Sequence, residues 1–173
     1  MSSQSLPKDL AAIPSGTRVF IDANIFIYHF TSTPLSAACT AFLKRVEVAE
    51  ISGVTSVVAL AEVAHRLMIL EAIQTHGLKP NVAVRKLKEN PSLVRQLTNY
   101  RVATDMVATF DVAVEAISAA HLRTAQDYSA TIGLLTNDSL TASARQSLSL
   151  VHLASNDADF SVVPNVTVWQ PKC

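Results

Sequence analysis

The chain has 173 residues, 49% hydrophobic and 16% charged, enough apolar material for one domain with its own core and too much for a disordered chain. Its formal net charge is zero, so no global field draws it to nucleic acid or membrane, and polyanion binding has to come from a local patch or a bound cation. Two cysteines, Cys39 and Cys173, make neither a disulfide framework nor a zinc spacing, which suits a reducing cytoplasm.

Residues 1–16 read as a flexible N-terminal tail closed by Pro14-Ser15-Gly16, with no apolar signal core between Met1 and Leu10. No apolar run reaches the roughly 18 residues of a transmembrane helix, so no membrane association is expected. The run Arg18-Val-Phe-Ile-Asp22-Ala-Asn24-Ile-Phe-Ile-Tyr28 is β-branched and aromatic and reads as a buried strand that delivers Asp22 and Asn24 to its C-terminal end. Thr31-Ser32-Thr33-Pro34 is a helix start, and the helix over 35–47 turns Ala38, Phe42, Leu43 and Val46 inward. Residues 51–55 form a second strand. Ser56 then caps a long helix that ends near Gly77, striped by Leu60, Ala64, Leu67 and Met68 and carrying Glu62 in its first two turns.

Residues 79–101 form a basic helical insertion, with six lysines and arginines against the single acid Glu89, divided into two short helices by Pro80, Asn90 and Pro91. It is either a solvated hairpin or a basic arm that holds phosphates through Arg85, Lys86, Lys88, Arg95 and Arg101. A third strand follows over 111–117. The helix over 118–130 has Ala119, Leu122, Ala125 and Ala130 as its packed side. After a loop over 133–138, Asp138 opens a helix over 139–147. A fourth strand over 148–154 runs into Ser155-Asn156-Asp157-Ala158-Asp159, and residues 166–169 are the last strand. Alternating strands and helices make this a single α/β domain with a central parallel sheet of about five strands and helices on both faces.

Four acids share one setting. Asp22 and Asp157 each follow an apolar strand, while Glu62 and Asp138 each lie near the start of a helix. In a parallel sheet, strand C-termini and the helix starts that follow them lie along one edge, so all four can converge there. Each also has a structural explanation: Asp22 turning the chain, Asp138 as an N-cap, Asp157 in an Asx-turn, Glu62 paired with Arg66. Crowded carboxylates repel unless a cation lies among them, and oxygen-only donors suit Mg²⁺ or Mn²⁺ rather than zinc. His29, His65, His76, His121 and His152 are scattered and are read as structural or exposed.

The segments Phe20-Ile-Asp22-Ala-Asn24-Ile-Phe-Ile-Tyr28, Thr55-Ser-Val-Val-Ala-Leu-Ala-Glu62-Val, Leu135-Thr-Asn-Asp138-Ser-Leu and Ala154-Ser-Asn-Asp157-Ala-Asp159-Phe160 come in the order of the PIN-domain ribonucleases. Over residues 18–171 the chain resembles that family, and within it the VapC toxins of toxin–antitoxin pairs. The resemblance implies a three-layer α/β/α fold and a cytoplasmic, metal-dependent endoribonuclease. It implies Asp22, Glu62, Asp138 and Asp157 as catalytic Mg²⁺ or Mn²⁺ ligands. Asn24 and Ser155 would support them by hydrogen bonding, with a hydroxyl kept where the family more often has threonine, and Asp159 would be a secondary acid. RNA as substrate, a cognate antitoxin and a homodimer follow by the same resemblance. The alternative is a catalytically inactive scaffold of this fold that binds RNA or protein. A phosphatase that attacks phosphorus through its first aspartate needs a second aspartate two residues on, where this chain has Asn24.

Overall fold

A computed structural model describes residues 6–173. Six strands pair in parallel into one sheet: β1 (Lys8–Asp9), β2 (Arg18–Ile21), β3 (Ser52–Ser56), β4 (Ala113–Glu115), β5 (His152–Ala154) and β6 (Thr167–Gln170), ordered β1-β6-β5-β2-β3-β4. The helices are α1 (Ala23–His29), α2 (Ser36–Glu47), α3 (Val57–His76), α4 (Ala83–Glu89), α5 (Pro91–Arg95), α6 (Asn99–Met106), α7 (Ala119–Ile132) and α8 (Thr136–Ser147). The chain leaves β2 toward β3 and β4 on one side, then returns to place β5 on the other side of β2. That reversal opens a crevice beyond the C-terminal ends of β2 and β5.

Alternation along the strands makes the three layers. In β2, Val19 and Ile21 join one core with Phe26, Phe42, Leu43, Val63 and Phe110, while Phe20 between them joins the other with Val54, Ala142, Leu153 and Phe160. Both sheet faces are therefore dry, as a parallel sheet requires. The long helix α3 runs from its Ser56 cap, whose hydroxyl accepts the Ala59 N–H at 3.1 Å, to Gly77, which closes it at φ +62°. Its fully covered apolar positions are Ala59, Val63, Leu67 and Ala72, while Leu60, Ala64 and Met68 of the expected stripe flank them half-buried.

Four expectations need correction. Residues 1–16 are not a tail throughout: residues 1–5 lie outside the described residues, but Lys8–Asp9 pair with Trp169–Gln170, and Leu10 and Ile13 are buried in the core. A two-residue edge strand has no periodicity to detect. The run 18–28, read as a strand with Asp22 and Asn24 at its C-terminal end, is a strand only to Ile21 and a helix from Ala23, because Asp22 is an N-cap: its Oδ1 accepts the Ala23 N–H at 2.8 Å, and α1 begins. The β-branched character of Ile25 and Ile27 is overridden by burial against α2 and α3. The basic insertion holds three helices rather than two, with its own small core of Leu87, Leu97 and Ala72 of α3. Of the four residues assigned to the packed side of α7, only Ala125 is buried, since α7 lies outside α8, whose residues Ser139 to Arg145 are all covered.

Glu71 ties the insertion down. Its Oε1 accepts the backbone N–H groups of Thr98 and Asn99 at 2.9 and 3.0 Å, and its Oε2 accepts that of Tyr100 at 2.9 Å. Burial opposes its charge, yet the three N–H donors at the start of α6 prevail and hold its carboxyl below the usual range. Among the described residues, no helix is long and apolar enough to cross a membrane.

Candidate metal centre

The crevice beyond β2 and β5 collects the acids. Asp22 is delivered by the end of β2, and the ladder continues past the strand because its N–H donates to the Ala154 carbonyl of β5 at 3.0 Å. Its side chain is buried, 8% exposed. Oδ2 accepts from Ser155 Oγ at 2.7 Å and from Asn24 Nδ2 at 2.7 Å, while Oδ1 accepts the Ala23 N–H. A carboxylate has about four acceptor directions, so one is left. Burial, opposed by the Ser155 and Ala23 hydrogen bonds and reinforced by the charges of Glu62 and Asp138, pushes this carboxyl up to about 7.

Ser155 and Asn24 link the two strand ends. Ser155 Oγ also accepts the Asp157 N–H at 3.0 Å and Asn24 Nδ2 at 3.0 Å, and Asn24 Oδ1 accepts the Asn156 N–H at 3.1 Å. Asn156 in turn donates its side-chain amide to the Tyr28 hydroxyl at 3.2 Å. Ser155 and Asn24 fix Asp22, Ser155 also fixes the Asp157 backbone, and Asn156 bonds both Asn24 and Tyr28 of α1, so the loop after β5 is held in register with the start of α1.

Asp138 comes from the opposite wall. It is not the cap of α8: Leu135 holds that position, and Asp138 lies inside the first turn, half-buried. One carboxylate oxygen each from Asp138, Asp157 and Asp159 lie within 4.8 Å of one another. Asp159 thus belongs to the tightest part of the cluster. Burial, then the charges of Asp157, Asp159 and Glu62, push the Asp138 carboxyl up to about 6. Asp157 does make the Asx-turn, accepting the Asp159 N–H at 2.8 Å, which orients it without neutralising it. Glu62 accepts from Asn137 Nδ2 at 3.3 Å; the ion pairs among the described residues join Lys44–Glu47, Arg45–Glu50, Arg85–Glu89 and Lys86–Glu89, and none reaches these five acids.

The donor set fits a hard divalent cation. Oxygen ligands of Mg²⁺ or Mn²⁺ stand at about 2.1 Å, so two on one ion are at most about 4.2 Å apart, and the Asp138–Asp157–Asp159 oxygens are gathered on nearly that scale. Burial first, and then the crowding of like charges, raises the Asp22 and Asp138 carboxyls; among the described residues no base is ion-paired to either, and a cation would balance that charge.

Beside the acids lies a groove of about 530 Å³ lined by Asn24, Tyr28, Glu62, Arg66, Asn156 and Asp157, among others. Arg66, Tyr28, Asn137 and Asn156 were not among the expected site residues. Tyr28 falls one turn after Asn24 on α1, a relation visible only once that segment is a helix. The expected basic residues divide. Arg85 and Lys86 pair with Glu89, Lys88 and Arg95 line an apolar groove of about 470 Å³ between α3 and the insertion, and Arg101 is exposed on α6.

A six-stranded parallel sheet between helical layers, with carboxylates gathered at its topological reversal, defines a class of α/β protein built around an acidic centre. The sequence matches the PIN domain over residues 19–166, and the chain belongs to that family. No curated protein matches it. Among solved structures it resembles VapBC2 from Rickettsia felis, bound to a DNA fragment from its promoter, at TM-score 0.57 and 18% identity over 90% of this chain and 99% of the other. It also resembles VapC20 of Mycobacterium tuberculosis, a Sarcin-Ricin loop cleaving toxin, at TM-score 0.55 and 14% identity over 84% and 95%. The fold is therefore the PIN fold shared with VapC proteins.

Proposed function

We propose that the chain is a metal-dependent endoribonuclease of the VapC toxin type, with Asp22, Glu62, Asp138 and Asp157 as the catalytic and metal-binding acids and Asp159 as an added ligand. The observation that carries this reading is the gathering of Asp138, Asp157 and Asp159 at the same crevice as the buried Asp22, with no base ion-paired to any of them among the described residues. A bound Mg²⁺ or Mn²⁺ would supply a water of lowered pKa and neutralise charge developing on a phosphodiester.

The chain's own residues do the rest. Ser155, Asn24 and the Ala23 N–H hold Asp22 in one orientation and leave it one free acceptor direction. The first turn of α8 presents Asp138 with no capping bond to compete for it. The groove beside Tyr28 and Asn156 gives a substrate strand access to the acids from one side. RNA is the substrate on this reading, a cognate antitoxin and a second copy of the chain are its partners, and the cytoplasm is its compartment. The likeness to the Rickettsia felis and Mycobacterium tuberculosis proteins supports this assignment at the level of fold.

The test is cleavage of a mixed RNA pool by purified protein with Mn²⁺ or Mg²⁺ and with EDTA, the Asp138→Asn variant run beside it. Metal-dependent cutting absent from the variant is expected. Cutting that survives in both Asp138→Asn and Asp22→Asn overturns the assignment of the acids. Absence of cutting under either metal moves the protein to the binding-scaffold reading.

A further inference from the structure

Arg66 stands where the acidic centre meets two open grooves. It lines the 530 Å³ groove beside Tyr28 and Asp157, and a second of about 510 Å³ on the other flank of Glu62, walled by Val58, His65 and Asn137. It is the one lysine or arginine among the residues lining either groove, it is exposed, and it is joined to no carboxylate in the ion pairs of the described residues. Glu62 and Arg66 are four residues apart on α3, so their side chains share one face about 6 Å apart along the axis. A pairing between them is the ordinary use of that spacing, and the structure does not make it. The guanidinium is left free beside a centre otherwise built from acids.

The same face of α3 continues toward the insertion. His65 lines both the second groove and the apolar groove held by Lys88 and Arg95, and Ile69 lines both that groove and the first. The three cavities are thus one track over α3, acidic at the sheet edge, with Arg66 next and Lys88 and Arg95 at the far end. Neither Lys88 nor Arg95 is engaged in the ion pairs of the described residues, in contrast to Arg85 and Lys86. A single-stranded polyanion fits this order: one phosphate at the acidic centre, which needs its cation, and further phosphates on the free bases.

We propose that Arg66 is a positioning residue that grips a phosphate adjacent to the one at the acidic centre, and that the RNA strand runs from there along α3 to Lys88 and Arg95. This rests on the nuclease reading for the identity of the strand. Arg66 reaches the reacting atoms only by fixing the strand over them. A guanidinium suits the task because its planar fork takes two phosphate oxygens at once.

The experiment measures binding of a fluorescein-labelled single-stranded RNA by anisotropy, over a range of salt, with the Asp138→Asn protein and its Arg66→Gln, Arg66→Lys and Lys88→Gln/Arg95→Gln derivatives. The expected result is about tenfold weaker binding for Arg66→Gln and a salt slope reduced by about one. Arg66→Lys should recover most of the affinity, and Lys88→Gln/Arg95→Gln should lower the slope further. In the otherwise wild-type chain, Arg66→Gln should raise KM for RNA cleavage more than it lowers kcat. Binding that ignores residue 66 overturns the proposal. So does an Arg66→Gln protein whose only change is tighter Mn²⁺ binding by isothermal titration, since Arg66 would then serve only as a counter-charge to the acids. RNA binding that depends on Arg66 in a protein that cuts no RNA would uphold the track and overturn the nuclease reading instead.

Discussion

Asp138 and Asp22 carry the residue-scale consequences. An acid raised in the folded state costs stability as it ionises: the contribution present below its ordinary value of 3.8 is lost as pH rises through the folded one, about 6 for Asp138. Asp138→Asn should therefore stabilise the protein in EDTA at pH 8. Half-burial leaves much of the effect to solvent screening, so the gain is roughly 1 kcal/mol, or about 2–4 °C in thermal melting of a chain this size. A lower Tm for the variant would mean that Asp138 is better satisfied than its surroundings indicate. The same titrations govern cation binding. A carboxyl pushed up to about 7 at Asp22 and one at about 6 at Asp138 must lose their protons before they can hold a cation. Mn²⁺ affinity by isothermal titration should be weaker at pH 6 than at pH 8, and equal affinities would exclude both acids as ligands. The identities of these acids were legible in the sequence because each follows a strand or starts a helix. The partners that orient Asp22 were partly legible, as Asn24 and Ser155. Tyr28 and Asn156 were not, since their hydrogen bond spans α1 and the loop after β5, far apart in the chain.

At the scale of elements, α3 was the easiest to read. Ser56 and Gly77 bracket it because a hydroxyl cap and a left-handed glycine are local chemistry that needs no neighbour. α1 was misread because Ile25, Phe26 and Ile27 favour a strand locally, and only the Asp22 cap with burial against α2 and α3 makes them helical. The insertion depends on one side chain, Glu71, whose carboxylate takes the first free N–H groups of α6. Replacing it with glutamine leaves an amide donor facing an N–H donor and costs on the order of 1–3 kcal/mol locally. Hydrogen exchange of Glu71→Gln should accelerate over residues 79–106 and stay slow in β2 and β5. Equal acceleration across the sheet would mean that the insertion is no separate opening unit. Because the carboxyl of Glu71 is held low, the latch is present above its ordinary value of 4.5 and weakens as pH falls below it.

For the whole molecule, the acidic crevice is a store of repulsion that a cation would release. Mn²⁺ that binds only the folded chain stabilises it by about 2.7 kcal/mol at a hundred times Kd. A thermal shift assay should show a rise of several degrees with Mn²⁺ in wild type, reversed by EDTA and much reduced in Asp138→Asn. A rise of the same size in the variant would place the cation elsewhere. The sequence by itself determined the α/β alternation, the capped helix α3, the strands after which the acids fall and the oxygen-only chemistry of the donor set, because caps, periodicity and residue type act over a few positions. Tertiary structure decided what those signals cannot reach. It added β1 to the sheet edge, since a two-residue strand exists only against β6. It drew Asp159 into the tight cluster with Asp138, brought from residues 138 and 159 to one place by the return of β5 beside β2. It also sorted the basic residues into those paired with Glu89 and those left free beside α3, because charge count along a chain does not record which side chains meet.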